Sequence, residues 1–371
     1  MAVSRICHIT TAHTRNDVRI FLKELTSLSN RFECHFIVAD DQGNERKNNI
    51  SIWDIGKSQG RLGRAVKVVQ RAYKKALKLN CDIYHFHDPE FILAALMLKI
   101  KGKKVIYDIH EDVPRDILSK EYLGSFRKPV SFLFEQLENF CARRLSCLIT
   151  ATPHIRDRFK KLNLTTIDIN NYPLLKDYSP DEANLEFDDR NNIVYIGAIS
   201  KIRGITELVN SLSLANTRLE LAGNFDTATF QKYLQRLDGW KSVNYYGLLD
   251  RKKVRALLQS SIAGIVTFYP EPNHIHAQPN KIFEYMSAGL PVICSNFVSW
   301  QEIIEKNKCG LLVDPMNPAE ISAAVKWLLT NKDQAKQMAL NGMVAIKSQY
   351  NWEIEQNKLL GVYQELINQV K

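Results

Sequence analysis

Two stretches, Tyr84-His85-Phe86-His87-Asp88-Pro89-Glu90 and Tyr107-Asp108-Ile109-His110-Glu111-Asp112-Val113-Pro114, hold the densest group of histidines and carboxylates in the chain. Each reads as a strand end passing into a loop, and strand alternation sends His85 and His87 to one face. Histidine with carboxylate is a common zinc or manganese set, so His85, His87, Asp88, Asp108, His110 and Asp112 could ring a hydrolytic metal. Alternatively, one histidine meets a substrate hydroxyl or sugar while the rest support it. A third reading makes each ring a core imidazole bonded to backbone. The spacing alone does not choose.

A second group is smaller. In PNKIFEYMSAGLPVICSN, residues 279–296, Lys281 and Glu284 stand three apart at the head of a helix, ahead of a Gly-Leu-Pro break and a buried strand. Such spacing puts both side chains on one side of the helix, whose N-terminus adds positive potential. A third candidate is the polar loop Thr10–Arg19, capped by Asn16 or Asp17, where a helix N-terminus offers backbone N–H groups to an anion. No G-x-G-x-x-G occurs there, which argues against a dinucleotide site.

Placing these loops requires alternating strands and helices. Strands are expected over 5–10, 34–38, 83–87, 104–108 and 147–150, with helices over 18–28, 64–79, 90–100 and 129–144 between them. A linker over 170–192, with Pro173 and Pro180, interrupts this rhythm. It resumes with strands at 193–196, 218–221, 243–246, 263–267, 291–294 and 310–312 and helices at 205–213, 229–237, 252–260, 281–287, 298–305 and 318–330. Such a pattern calls for two Rossmann-like, doubly wound α/β domains whose ligands collect at the carboxyl ends of the strands. Boundaries are expected at 1–178, 179–350 and 351–371, the last segment being a helix that returns to the first domain.

At 371 residues with 45% hydrophobic and 24% charged residues, the composition is that of a globular protein. The first residues lack a signal-peptide pattern, and no run of about 18 apolar residues suggests a membrane span. Seven cysteines without C-x-x-C spacing read as buried reduced thiols of a cytosolic protein. The net charge of +10 is uneven. One basic amphipathic helix carries Lys57, Arg61, Arg64, Lys67, Arg71, Lys74, Lys75 and Lys78 among Leu62, Val68, Ala72 and Leu77. A second segment runs from Arg127-Lys128-Pro129 through Phe132, Leu133, Phe134, Leu137 and Phe140 to Arg143-Arg144. Each could be a crossover helix or a contact with anionic lipid. No nucleic-acid-binding pattern accompanies the charge.

The block 279–293 and the following GLLVDP turn resemble the donor-binding core of glycosyltransferase family four, the large retaining group with the GT-B fold. TAHTRNDVRIFLKELTSLS, DIYHFHDPEFILAALMLKIKGKKVIYDIHED and IVYIGAISKIRGITELV resemble other family segments, so the likeness covers nearly the whole chain. It implies two facing Rossmann-like domains with a cleft between them. It also implies a nucleotide-diphosphate sugar as donor, UDP- or GDP-linked, with no cofactor and no metal.

By that resemblance, Glu284 binds the ribose hydroxyls, and Lys281 with Arg203 grips the diphosphate and stabilises its departure. His110 contacts the donor sugar beside the reaction centre. Gly197, Asn280 and backbone near Leu248 complete the donor site, with Leu248 beside the base. Asp17, Arg19 and His87 are expected at the cleft from the first domain. Two positions depart from the family pattern. Ala198 stands where an arginine is usual, leaving Lys201, Lys281 or Arg19 to supply the charge, and His276 replaces an acidic residue. No carboxylate of the second half occupies an obvious nucleophile position, so front-face retaining transfer is implied. The acceptor is expected to be a lipid-linked glycan in bacterial surface polysaccharide assembly, handled at the inner face of the plasma membrane. A metal-dependent hydrolase built on His85, His87 and His110 is the alternative, and a silent nucleotide-sugar binding protein is a third reading.

Overall fold

The computed structural model describes residues 3–162, 165–178 and 185–368, with side chains 61, 62, 64 and 121 left aside. Pro180 and the expected boundary at 178/179 therefore lie outside or at the edge of the described residues, as do the side chains of Arg61, Leu62 and Arg64.

Two compact units divide the chain. The first holds residues 1–171 and 352–371, the second residues 172–351. They part at Tyr172 because its ring packs edge-on against Phe283 and Tyr350 of the second unit. Unit one is built on eight strands: β1 (Arg5–Ile9), β2 (Glu33–Val38), β3 (Glu45–Lys47), β4 (Ile50–Asp54), β5 (Ile83–Phe86), β6 (Lys104–Ile109), β7 (Cys147–Thr150) and β8 (Thr166–Asp168). Their order is β3-β4-β2-β1-β5-β6-β7-β8, parallel throughout except for the edge pair β3–β4. The near-continuous apolar runs of β1, β2, β5, β6 and β7 suit strands covered on both faces.

The expected helix over 18–28 opens with a π-helical stretch, Val18–Leu25, in which the N–H of Leu22 reaches back five residues to Asp17. Such windings often occur at functional sites. The expected helix over 90–100 begins as a 3₁₀ turn at Pro89–Phe91, and the basic segment winds through Gly60–Gly63 and Arg64–Val68 into Val69–Leu79. That last helix buries Ala72, Ala76 and Leu79, while Lys75 lies 3.5 Å over the Trp53 ring, so it is an ordinary crossover helix. The final helix, Trp352–Asn368, belongs to unit one. Trp352 donates to Ser27 Oγ at 3.0 Å, and Tyr363 bridges His8 and His85 at 2.9 and 2.8 Å.

Unit two carries β9 (Asn192–Ile196), β10 (Arg218–Ala222), β11 (Val243–Tyr245), β12 (Ser261–Val266), β13 (Val292–Ser295) and β14 (Gly310–Val313). All are parallel, in the order β11-β10-β9-β12-β13-β14. In both sheets the strand order reverses beside the first strand, between β1 and β5 and between β9 and β12. Those switch points open crevices at the strand carboxyl ends. All seven cysteines are free and buried, and no described helix is long and apolar enough to cross a membrane.

Candidate active site

In unit one the strand register creates the histidine group. His8 of β1 pairs with His85 of β5, and their ring centroids lie 4.4 Å apart. One residue past β5, the His87 ring meets His8 Nδ1 through Nε2 at 3.0 Å and Asp108 Oδ2 through Nδ1 at 3.1 Å. Asp108 is the hub. Arg19 grips it with two bonds of 2.9 and 2.7 Å and also donates to the Ile169 carbonyl, while His110 Nε2 lies 2.8 Å from Asp108 Oδ2. Burial, which raises a carboxyl, is outweighed at Asp108 by Arg19 and then His110, leaving it well below its usual range. Arg19 is thus a buried structural cation rather than a cleft residue, and it is not available to a diphosphate.

Burial holds His8 and His85 well below the usual imidazole range and lowers His87 to about 4. His110 is more open, and its Asp108 bond fixes the ring. Around it stand His13, which the sequence reading left without a role, and Asp88, expected there only as a possible metal ligand. His13 lies 5.2 Å from the His110 ring and bonds Asp17 Oδ2 at 3.2 Å; Asp88 accepts from Thr10 Oγ1 and Thr11 N, both at 2.7 Å. Spacing of four between His13 and Asp17 was the available signal. Asp17 caps its helix through Ile20 N and falls to about 2, burial being outweighed by His13 and the backbone donor.

Among the described residues, two sets of side chains have ligand atoms within 4.8 Å of one another, as a metal ion would need: His8, Glu24, His85 and His87, and His87, Asp108 and His110. The first is fully buried, with Arg19 Nε 3.0 Å from Glu24, so an ion there would sit against a guanidinium and away from water. In the second, Asp108 is already held by Arg19. The hydrolytic cluster expected from His85, His87 and His110 does not come together as one ligand set: His85 and His110 fall in different sets, and His85 is buried and bonded to Tyr363 at 2.8 Å.

In unit two, the helix Asn280–Ser287 is fixed by Tyr285. Its hydroxyl accepts from Ile196 N at 3.1 Å and its ring lies across Gly264, where any side chain would collide. This placement sets Lys281 over the end of β9. A Cβ at Gly197, whose φ is +137°, would come within 2.5 Å of Lys281 Nζ, so only glycine lets the ammonium lie there. Arg203 sits 5.1 Å and Lys281 6.0 Å from the Phe268 ring. Lys281 has no hydrogen bond or ion pair among the described residues, and burial and then Arg203, partly opposed by Glu284, lower it to about 8. Gly204, at φ +71°, closes the loop: a side chain there would overlap the Thr267 carbonyl. Lys281, Arg203, Gly197 and Glu284 thus converge at the switch point.

The other expected residues are spread around that centre. Asn280 opens the helix and is exposed. Leu248 is exposed just past Gly247, whose carbonyl accepts from Gly223 N at 2.7 Å. His276 is exposed in a loop tied down by Ser299 and Trp300, which donate to Ile275 and Ala277 at 2.9 and 2.7 Å. Asn273 Oδ1 and Gln278 Oε1 of that loop are buried with no hydrogen-bond partner.

Two family models match the chain. Residues 18–169 match Glycosyltransferase Family 4, and residues 180–343 match Glycosyl transferases group 1. A glycosyltransferase of Methanocaldococcus jannaschii is 25% identical over 181 residues, 47% of this chain and 45% of that protein, so the chain spans under half of that relative. The alpha-D-kanosaminyltransferase of Streptomyces kanamyceticus is 20% identical over 292 residues, 73% of each. Among solved structures, sucrose-phosphate synthase from Thermosynechococcus elongatus has a TM-score of 0.81 at 16% identity, covering 98% of this chain and 99% of that one. Anabaena HepE in complex with UDP and glucose has a TM-score of 0.68 at 16% identity, covering 98% and 100%. These likenesses establish the fold as that of the GT-B glycosyltransferases. With a glycosyltransferase model matching each unit, the chain belongs to glycosyltransferase family four, among the group 1 glycosyl transferases.

Proposed function

We propose that this protein transfers a sugar from a nucleoside-diphosphate sugar to a glycan acceptor, with retention at the anomeric carbon and without a metal. The observation that carries this reading is the meeting of Lys281 and Arg203 at the end of β9, two cations beside one aromatic ring, Phe268, with Glu284 one turn away from the lysine. A diphosphate answers that unbalanced charge, and a carboxylate suits two vicinal ribose hydroxyls. HepE, of similar fold, holds UDP and glucose, which supports a UDP-linked donor ahead of a GDP-linked one.

In the proposed reaction the acceptor oxygen bonds to the anomeric carbon as the bond from that carbon to the diphosphate oxygen breaks. The acceptor proton passes to the departing phosphate, whose charge Arg203 and Lys281 stabilise. His110, its ring fixed by Asp108, is assigned to a substrate hydroxyl. We assign the acceptor to the class of lipid-linked glycans of bacterial surface polysaccharide assembly, handled in the cytoplasm at the membrane. Incubation with a panel of nucleoside-diphosphate sugars and lipid-linked and truncated acceptors tests this, with release of nucleoside diphosphate and the product's anomeric configuration as readouts. Release from one donor with retained configuration is expected. Inverted configuration overturns the retaining assignment, and equal use of truncated acceptors overturns the lipid-linked one.

A further inference from the structure

The helix Arg127–Ala142 lies inside out. Its inward side carries Ser131, Glu138, Cys141 and Ala142. Ser131 Oγ donates to the Pro114 carbonyl at 2.7 Å, Tyr107 OH donates to Glu138 at 3.1 Å, and Arg158 pairs with both Glu138 and Asp112. Turning the helix to bury its apolar residues would strand Glu138 and Arg158, a buried pair that is costly to break. The outward face carries Phe126, Val130, Leu133, Leu137 and Phe140, spaced four and three apart, a single apolar stripe along the helix and the residue before it. Phe126 is 69% exposed, Leu133 66% and neighbouring Phe132 61%.

The adjacent helix Ile92–Ile100 repeats the arrangement. Ile92, Ala94, Ala95 and Leu98 are buried, while Leu93, Met97 and Ile100, the last 77% exposed, form a second outward stripe. Side by side, the two stripes form an apolar surface of the kind that marks an interaction site. Exposed Lys101, Lys128, Arg143 and Arg144 stand at its margins. Glu135, the nearest described carboxylate on the second helix that is not buried, is held by Arg115 at 2.8 Å. Apolar stripes edged by cations match a bilayer with acidic headgroups, where rings enter the acyl boundary and cations meet phosphate.

We infer that unit one docks on anionic lipid through the paired outward stripes of Ile92–Ile100 and Arg127–Ala142. The basic helix Val69–Leu79 takes no part, because its apolar side is spent on the sheet. This inference does not depend on the donor assignment.

The test is sedimentation of the full chain with phosphatidylcholine vesicles, with and without phosphatidylglycerol. Phe132→Ser/Leu133→Ser removes apolar contact, and Lys128→Glu/Arg143→Glu reverses charge. The parent chain is expected to bind anionic vesicles roughly tenfold better than neutral ones. The first variant should lose about tenfold on anionic vesicles, and the second should lose the anionic preference. Both variants change exposed side chains, and an unchanged thermal midpoint and unchanged nucleotide-induced shift verify fold and donor site. No retention on anionic vesicles overturns the inference, as does retention that neither variant reduces. A concentration-dependent dimer by light scattering, abolished by Phe132→Ser/Leu133→Ser and unaccompanied by vesicle binding, assigns the surface to a second copy and also overturns it.

Discussion

Lys281 and Arg203 hold two positive charges around Phe268, and Glu284 partly offsets them for the lysine. A Lys281 lowered to about 8 from an ordinary 10.5 binds fewer protons in the native state than in the unfolded state between those values. Stability therefore rises with pH across that window as the penalty of the buried charge disappears. Anion affinity has the opposite sign: nucleoside-diphosphate binding should weaken as pH climbs through about 8, and titration calorimetry from pH 7 to 9 checks this. In unit one the buried rings act at lower pH. His8 and His85 are well below their ordinary 6.5 and His87 is near 4, so each protonates first in the unfolded chain. Each imidazole should remove about 1.4 kcal/mol of stability per pH unit below 6.5, until His87 begins to protonate near 4. Urea unfolding followed by Trp fluorescence at pH 7, 6 and 5 measures the slope. Asp108→Asn removes the carboxylate that accepts two bonds from buried Arg19, leaving Glu24 as its ion-pair partner, and should cost roughly 3 kcal/mol by the same unfolding measurement.

At the level of elements, the strand ends were legible and the windings between them were not. Apolar runs such as Ile6–Ile9 and Val292–Cys294 mark strands plainly, because parallel strands bury both faces. The edge strand Glu45–Lys47 escaped notice because Glu45, Arg46 and Lys47 are all exposed and carry no apolar signal, and its neighbour Ile50–Asp54 was missed although Ile50 and Ile52 are buried. The π-helical turn at Val18–Leu25 is a matter of hydrogen-bond register, to which a residue pattern is blind. The helix Arg127–Ala142 was left open between a crossover helix and a lipid contact: its pattern is amphipathic, but which side faces inward is fixed by Tyr107 and Arg158, partners outside the helix. Glycines at the second switch point carry a further expectation. Gly204→Ala should destabilise unit two by at least about 1 kcal/mol, since it adds a strained φ and a clash with Thr267 O, and a lowered thermal midpoint would register it.

Across the whole molecule, the two units repeat one device, a parallel sheet whose order reverses beside its first strand and whose polar groups collect there. Lys281 and Glu284 could be singled out because they lie within one short helix motif and Gly197 because it follows a strand, and the structure sets Lys281 against Gly197. Arg19 was misplaced and His13 overlooked because their surroundings come from Asp108, Ile169 and His110, more than 85 residues away. The final helix closes unit one by seating Tyr363 on His8 and His85, so a chain cut after residue 351 should lose cooperative unfolding of that unit. The claim on which the rest depends is the diphosphate seat at the end of β9. Calorimetric titration of UDP and GDP into the parent chain and into Lys281→Ala tests it most directly. The account predicts micromolar-range binding of one nucleotide that weakens by roughly tenfold or more in the variant, as for loss of a charge-assisted contact. Equal affinity in both proteins, or no binding of either nucleotide to the parent chain, would contradict it.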